Sequence, residues 1–327
     1  MLFVRVGKVA KEKGVGTIPF RKVEENLNRL KSKETQSKDG GEGVDDRDVQ
    51  TSNRRVSSST TRKGVVPLVL ISTGSFSPPH RMHVHMMDVV KRHIEESTCY
   101  YVVGGYLSPS HHRYVNAKLG RDAVPASVRI KLCAACTADS PYLACSSWEA
   151  ELPMFLDYGD VVTHHQEVLQ RLYPSVQLVY VCGQDHAEKC NFFCLPRCGM
   201  CVVLRDELDL TSPDVERLRE KLQKQVKGPI WIVSPNIADD NNSIFSTLTS
   251  SSSSPPSPSP FSSSSSSHIP TAAATTIYAN QVRTIDILQA SSTKVRELSK
   301  RKDEAELRKF CHPAVVDYYK EQWQNAS

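Results

Sequence analysis

No apolar run in this chain approaches the roughly 20 residues of a helical bilayer crossing, so a soluble protein without a membrane partner is expected. The opening residues, MLFVRVGKVAKEKG, hold too short an apolar stretch for a secretory signal. Without such a signal, ten cysteines in 327 residues read as reduced thiols rather than a disulfide framework. The glycine-rich phosphate fingerprints are missing too: no Gly-Lys-Ser/Thr closes a Walker loop and no GxGxxG follows a strand. Nor is there a KMSKS-like run. The body also lacks an excess of charge of one sign. Residues 1–63 hold 15 Lys and Arg against 9 Asp and Glu, leaving 26 against 27 for everything after. The basicity is confined to the first part of the chain, so the clustered basic face of a nucleic-acid-binding body is not expected.

What is present centres on Pro67–His85, PLVLISTGSFSPPHRMHVH. Leu68–Ile71 is a short continuous apolar run, the pattern of a strand buried on both faces of a parallel sheet. Gly74 and Pro78-Pro79 break it. Met82, Met86, Val89, Val90 and Ile94 then recur at helical spacing, so strand, tight loop and helix are expected in turn. Such a loop sets unpaired amide N–H groups and the positive end of a helix dipole at the carboxyl end of a strand, where a phosphate is favoured. His80 and His83, three apart at the helix start, are able to face one site and donate to phosphate oxygens.

Along the chain, residues 1–63 are polar and charged, and a disordered or loosely helical tail is expected. The body starts near Gly64. Strands are expected at Tyr100–Val103, Leu178–Val181, Cys201–Leu204 and Ile230–Val233. Helices are expected after Pro125, over Val161–Leu172, and from the N-cap Ser212 to Val226. This alternation predicts a doubly wound parallel α/β sheet. A Ser/Pro-rich insertion at about 241–275 cannot bury enough apolar surface to order itself. The pattern resumes at Val282–Leu288, passes through SSTKVREL, and ends in C-terminal helices containing Leu307, Phe310, Val315, Val316, Tyr318 and Tyr319. Ser291, Ser292 and Thr293 read either as an ordinary helix cap or as a polyphosphate cradle reached by Arg296 one turn on.

GSFSPPHRMH resembles the GxFxPxHxxH signature of the nucleotidyltransferase superfamily, and SSTKVR resembles its second signature, ISSTxxR, in the same order. Three further stretches narrow the resemblance to the eukaryotic type of nicotinamide/nicotinate mononucleotide adenylyltransferase. LSPSHHRYVNAKLG, Leu107–Gly120, is similar to SPVNDxYxKKxL, keeping Ser108, Pro109, Tyr114, Lys118 and Leu119. Trp148-Glu149 sits where that family has a Trp-Glu pair. HHQEVL, His164–Leu169, and CGQDH, Cys182–His186, resemble its HHQxxL helix and CGxD turn. The resemblance covers about Pro67–Tyr319 apart from the Ser/Pro tract. It departs where CNFFCLPRCGMC replaces the family's Leu-Trp pair and where Leu288-Gln289-Ala290 replaces an Asn-Asp.

The resemblance implies a Rossmann-like nucleotidyltransferase fold over 64–327 and adenylyl transfer from ATP to the mononucleotide, giving NAD or its deamido form and pyrophosphate. It implies His83 as the leading catalytic residue, with His80, Lys118 and Arg296 completing a positive cradle. Gly74, Ser75 and Phe76 would lay backbone donors along the mononucleotide phosphate, and Trp148 would stack on the nicotinamide ring. Gly183 and Asp185 would meet the ATP ribose, and Ser291, Ser292 and Thr293 its phosphates. Mg²⁺ would ride on ATP oxygens, with no metal ligands from the protein. Other members of the superfamily stay open as alternatives, such as a pantetheine-phosphate adenylyltransferase or a cytidylyltransferase, as does a non-catalytic chaperone or scaffold. A homo-oligomer is also left open. A nuclear or cytoplasmic location is expected, a mitochondrial one being the alternative.

Four cysteines, Cys190, Cys194, Cys198 and Cys201, would suit zinc only if their uneven spacing converged, and Cys201 begins a buried strand. Cys133 and Cys136 read as core. The pairs His111-His112 and His164-His165 cannot each converge on one ion, because helical neighbours point about 100° apart. His85 is expected on the helix exterior.

Overall fold

The computed structural model describes residues 17–39, 65–205, 210–235 and 287–325. The expected Ser/Pro insertion and the start of the expected 282–288 strand lie outside them.

Six strands form one parallel sheet: β1 (Val66–Gly74), β2 (Tyr100–Pro109), β3 (Leu143–Cys145), β4 (Gln177–Gly183), β5 (Gly199–Val203) and β6 (Ile230–Val233). Their order is β3-β2-β1-β4-β5-β6. The chain thus builds outward from β1 on one side through β2 and β3, then returns to start again at β4. The order reverses between β1 and β4, and a crevice opens at their carboxyl ends, the usual ligand position of such sheets. The expected fold class holds.

The apolar run of β1 explains its central place. Leu68 and Leu70 pack on one face of the sheet, Val69 and Ile71 on the other, as the period of two in a strand requires. One face is covered by α2 (Arg81–Ser97) and α4 (Ala126–Thr137). The other is covered by α5 (Tyr158–Leu172) and α7 (Pro213–Gln225), with Val162, Leu169, Leu218 and Leu222 in its core. Ser212 caps α7, its Oγ accepting from the Val215 N–H. The helices α8 (Ser292–Lys300), α9 (Glu304–Phe310) and α10 (Pro313–Asn325) form a third apolar cluster with Leu132 of α4. Two short helices complete the set: α3 (His112–Leu119), and α6 (Gln184–Lys189) directly after β4.

One boundary differs from expectation. Residues 21–39, expected within a disordered or loosely helical tail, form a helix, α1 (Arg21–Asp39), that packs on β2. Val23 and Leu27 are buried in the main core. The Asn26 amide donates to the carbonyls of Val103 and Pro141, and Lys22 Nζ donates to those of Thr137, Ala138, Ser140 and Leu143. Gly104 is what lets α1 come so close, since a Cβ there would sit 2.5 Å from Val23 Cγ2. The helix is mostly polar because only a narrow stripe is covered, and composition averages that stripe away.

His85 also departs from expectation. It is buried in α2, and its Nε2 meets the Pro235 carbonyl at 2.9 Å. The amphipathic pattern of α2 made this position look exterior, but the chain after β6 covers it.

Candidate active site

At the carboxyl end of β1 the chain turns through Gly74–Pro79 into α2. Phe76 takes a left-handed backbone conformation (φ 40°), unusual for an aromatic residue and the kind of strain concentrated at functional turns. Its ring lies edge-on to His83, 4.7 Å between centroids. A Cβ at Gly74 would be 3.3 Å from the Phe76 ring, so the glycine accommodates it. The loop is braced from below by Arg129, fully buried in α4, whose Nη1 donates to the Ser75 carbonyl and Nε to that of Val124.

His80 and His83 begin α2 with their rings stacked, 3.7 Å between centroids. The His80 backbone N–H donates to His83 Nδ1 at 3.1 Å. With Nδ1 an acceptor, the neutral His83 ring carries its proton on Nε2. Burial holds His83 down at about 4. Burial also pushes His80 well below its ordinary value, with His83 and Arg205 adding to the effect. At neutral pH both rings are therefore neutral, and an incoming anion opposes the desolvation that keeps them so.

Across the cleft stands α8. Ser291 caps it, its Oγ accepting from the Lys294 N–H at 3.2 Å. Ser292 Oγ donates to the Pro78 carbonyl, and Thr293 Oγ1 accepts from Arg296 Nη2. All three hydroxyls are thus engaged inside the protein. The hydroxyls shape this turn, and the N–H groups of Ser292 and Thr293 at its start have no acceptor within the helix. Arg296 Nη1 donates to the Ser77 carbonyl at 2.8 Å, tying α8 to the β1 loop.

These elements line a cleft of about 600 Å³ that includes Gly74, Ser75, Phe76, His80, His83, Lys118, Gly183, Asp185, Ser291, Ser292, Thr293 and Arg296. Every expected site residue but one is in it. Within it, Ser75 Oγ and His80 Nδ1 are buried with no hydrogen-bond partner. A Cβ at Gly183 would meet no protein atom within 4 Å, so the space beside it belongs to the cleft. Asp185 forms an ion pair with Arg205, itself on the cleft wall.

The exception is Trp148. It is 4% exposed, packed with Leu152, Leu156 and Val161, and stacked face to face on His164 at 3.7 Å. It lines neither cleft described here, and the ring it stacks on in this structure is a protein imidazole. The HHQEVL helix itself supplies that partner. His165 is buried behind it, bonded to Ser146 Oγ and the Val161 carbonyl.

A second space of about 510 Å³ adjoins the first and shares Thr73, Gly74, Ser75, Lys118 and His186 with it. Its far end is aromatic and acidic, with Tyr114, Phe155, Tyr158, Asp157 and Glu149. Tyr114 and Phe155 are stacked at 5.5 Å. Glu149 is buried at its wall and accepts from Ser108 Oγ at 2.9 Å. Burial raises its carboxyl to about 7 against the pull of the Ser108 and Ser110 hydroxyls. Sequence reasoning assigned no role to Glu149, Arg129, His186 or Tyr158. For Arg129 the signal was a charge on the same helical face as Leu132 and Cys133.

The remaining histidine and cysteine readings divide. His111 is buried, its Nε2 on the Leu152 carbonyl, and the exposed His112 ring lies 4.3 Å from it, tilted by 45°. Cys133 is core, and so are Cys198 and Cys201. Among the described residues no group of three or more His, Cys, Asp or Glu is placed to hold a metal ion.

Residues 71–298 match the cytidylyltransferase-like family model, and the chain belongs to that family. Within it, the chain is similar to the nicotinamide/nicotinic acid mononucleotide adenylyltransferase of Schizosaccharomyces pombe, 33% identical over 110 residues, which is 33% of this chain and 29% of that protein. It is 36% identical over 133 residues to the rice (Oryza sativa subsp. japonica) protein of the same name, 39% of this chain and 50% of that one. The matched stretches therefore span about a third to a half of these relatives. A solved structure, Plasmodium falciparum nicotinic acid mononucleotide adenylyltransferase complexed with NaAD, superposes with a TM-score of 0.46 at 12% identity, covering 78% of this chain and 96% of that one.

Proposed function

We propose that this chain transfers the adenylyl group of ATP to nicotinamide or nicotinate mononucleotide, forming the dinucleotide and pyrophosphate. The observation that carries the reading is the convergence on one cleft of the β1 loop with His80 and His83, and of the α8 start with Arg296, with Ser75 Oγ and His80 Nδ1 left unpartnered between them. The relatives named above support the choice of acceptor.

The reaction is in-line attack of the mononucleotide phosphate on the α-phosphorus of ATP. Two anions must meet, and negative charge grows on the bridging oxygens, so positioned donors suffice and no nucleophilic side chain is needed. His83 Nε2–H and His80 offer donors at the loop, and the α8 first turn with Arg296 offers donors to the departing pyrophosphate. Lys118 lines both spaces and stands where the two anions would meet. The mononucleotide base then falls in the aromatic, acidic far space, a setting suited to a cationic pyridinium ring. A divalent cation, Mg²⁺ by its preference for phosphate oxygens, would neutralise triphosphate charge. Asp185 is paired with Arg205, which fits an ion carried by the nucleotide rather than by a protein cage.

Pyrophosphate release measured with ATP and each mononucleotide tests the reading, and dinucleotide formation is the expected result. Release only with phosphopantetheine, or with CTP as donor, would move the chain elsewhere in the superfamily. No release with any pair would leave the scaffold reading.

A further inference from the structure

A file of hydrogen-bonded side chains crosses the floor of the far space. Thr73 Oγ1 meets Tyr180 OH at 3.2 Å, Tyr180 OH meets His186 Nε2 at 3.1 Å, and His186 Nδ1 meets Cys190 Sγ at 3.4 Å. Thr73, His186 and Cys190 all line the cleft, and Tyr180 is buried beneath. The adenylyl transfer above uses none of this. A thiol beside an imidazole, itself oriented by a third group, is the arrangement of an activated nucleophile. Burial keeps Cys190 protonated and His186 neutral, so the resting pair is thiol and free base. In the tautomer whose Nε2–H donates to the Tyr180 hydroxyl, Nδ1 accepts the thiol proton.

We infer that Cys190 is a reversible modification site, taking low-molecular-weight disulfides by exchange and thereby closing the far end of the cleft. In the step, Cys190 Sγ attacks one sulfur of R–S–S–R, the S–S bond breaks, and Cys190–S–S–R forms. His186 takes the thiol proton and returns it to the departing thiolate, which leaves as RSH. The thiol is oxidised by the disulfide it consumes, and a free thiol reverses the exchange. The adduct occupies the same 510 Å³ that opens beside Tyr114 and Tyr158.

The test treats the reduced full chain with oxidised glutathione and follows each cysteine by peptide mass mapping. Cys99 is the internal standard, because it is exposed and has no such histidine partner. Cys190 is expected to be modified ahead of Cys99 despite its lower exposure, and dithiothreitol to reverse it. His186→Gln should slow modification of Cys190 by about tenfold or more while leaving Cys99 unchanged. Labelling of buried Cys133 in that variant would report unfolding, in which case the order of labelling in the unmutated chain decides. Modified protein should bind nicotinamide mononucleotide at least about tenfold more weakly by calorimetry. Cys99 or Cys194 reacting first, or unchanged binding after modification, overturns the inference. The choice of mononucleotide rests on the proposed function, whereas the labelling order does not, so lack of binding by unmodified protein would sink that reading alone.

Discussion

The His80 backbone N–H donates to His83 Nδ1 at 3.1 Å, and this bond decides which nitrogen of His83 can donate to a ligand. The rings are stacked, His80 buried and His83 half-buried, so neither can reorient without disturbing the start of α2. The site holds a neutral donor in a fixed direction, and under the proposed function such a donor acts on charge developing in the transition state more than on ground-state binding. His83→Ala is expected to lower kcat by roughly a hundredfold or more, with a smaller change in either KM. A variant with unchanged kcat would remove His83 from the chemistry.

Trp148 packs against Leu152, Leu156 and Val161 and stacks on His164. Trp148→Ala should lower stability by about 3–5 kcal/mol, the usual cost of emptying a large aromatic site. Any loss of affinity should fall on both substrates alike, because the indole stacks on His164 and not on the cleft. Thermal unfolding beside both KM values checks this. A stable variant with a raised KM for the mononucleotide alone would return Trp148 to the site.

Glu149 makes stability depend on pH. Its folded value of about 7 lies above the ordinary 4.5, so between those values the folded chain binds the extra proton. Stability contributed by this group is present at low pH and lost as pH rises toward 7. Glu149→Gln removes the effect. The variant should gain on the unmutated protein as pH goes from 5 to 8, by about 2–3 kcal/mol, as read in denaturant unfolding at each pH. A constant difference across that range would show that the carboxyl stays ionised in the fold.

Lys22 tests the place of α1. Its ammonium satisfies four carbonyls at the end of α4 and the approach to β3. Lys22→Ala leaves these acceptors without their donor and should cost about 1–3 kcal/mol. Urea unfolding measures it, and a change within error would mean that α1 contributes little to the fold.

How much of this could be read from the sequence follows from what each signal depends on. The apolar run Leu68–Ile71, the break at Gly74 and Pro78-Pro79, and the helical spacing after it are local, and they determined β1, its loop and α2. The two phosphate motifs are equally local, and both landed on the cleft. The strand alternation determined the parallel sheet. Three features were decided only by the tertiary structure. No window around Trp148 names its neighbours, and its packing against Leu152, Leu156 and Val161 and its stack on His164 arise only when α5 folds over it. The helix at 21–39 is too polar to announce itself, and it is held because Gly104 lets Val23 approach β2. Arg296 and Ser77, 219 positions apart, meet at 2.8 Å only because the switch between β1 and β4 opens a crevice that α8 folds back to close. Local pattern fixes elements through backbone geometry and side-chain periodicity. Contacts between distant elements depend on shape complementarity, which no window of sequence contains.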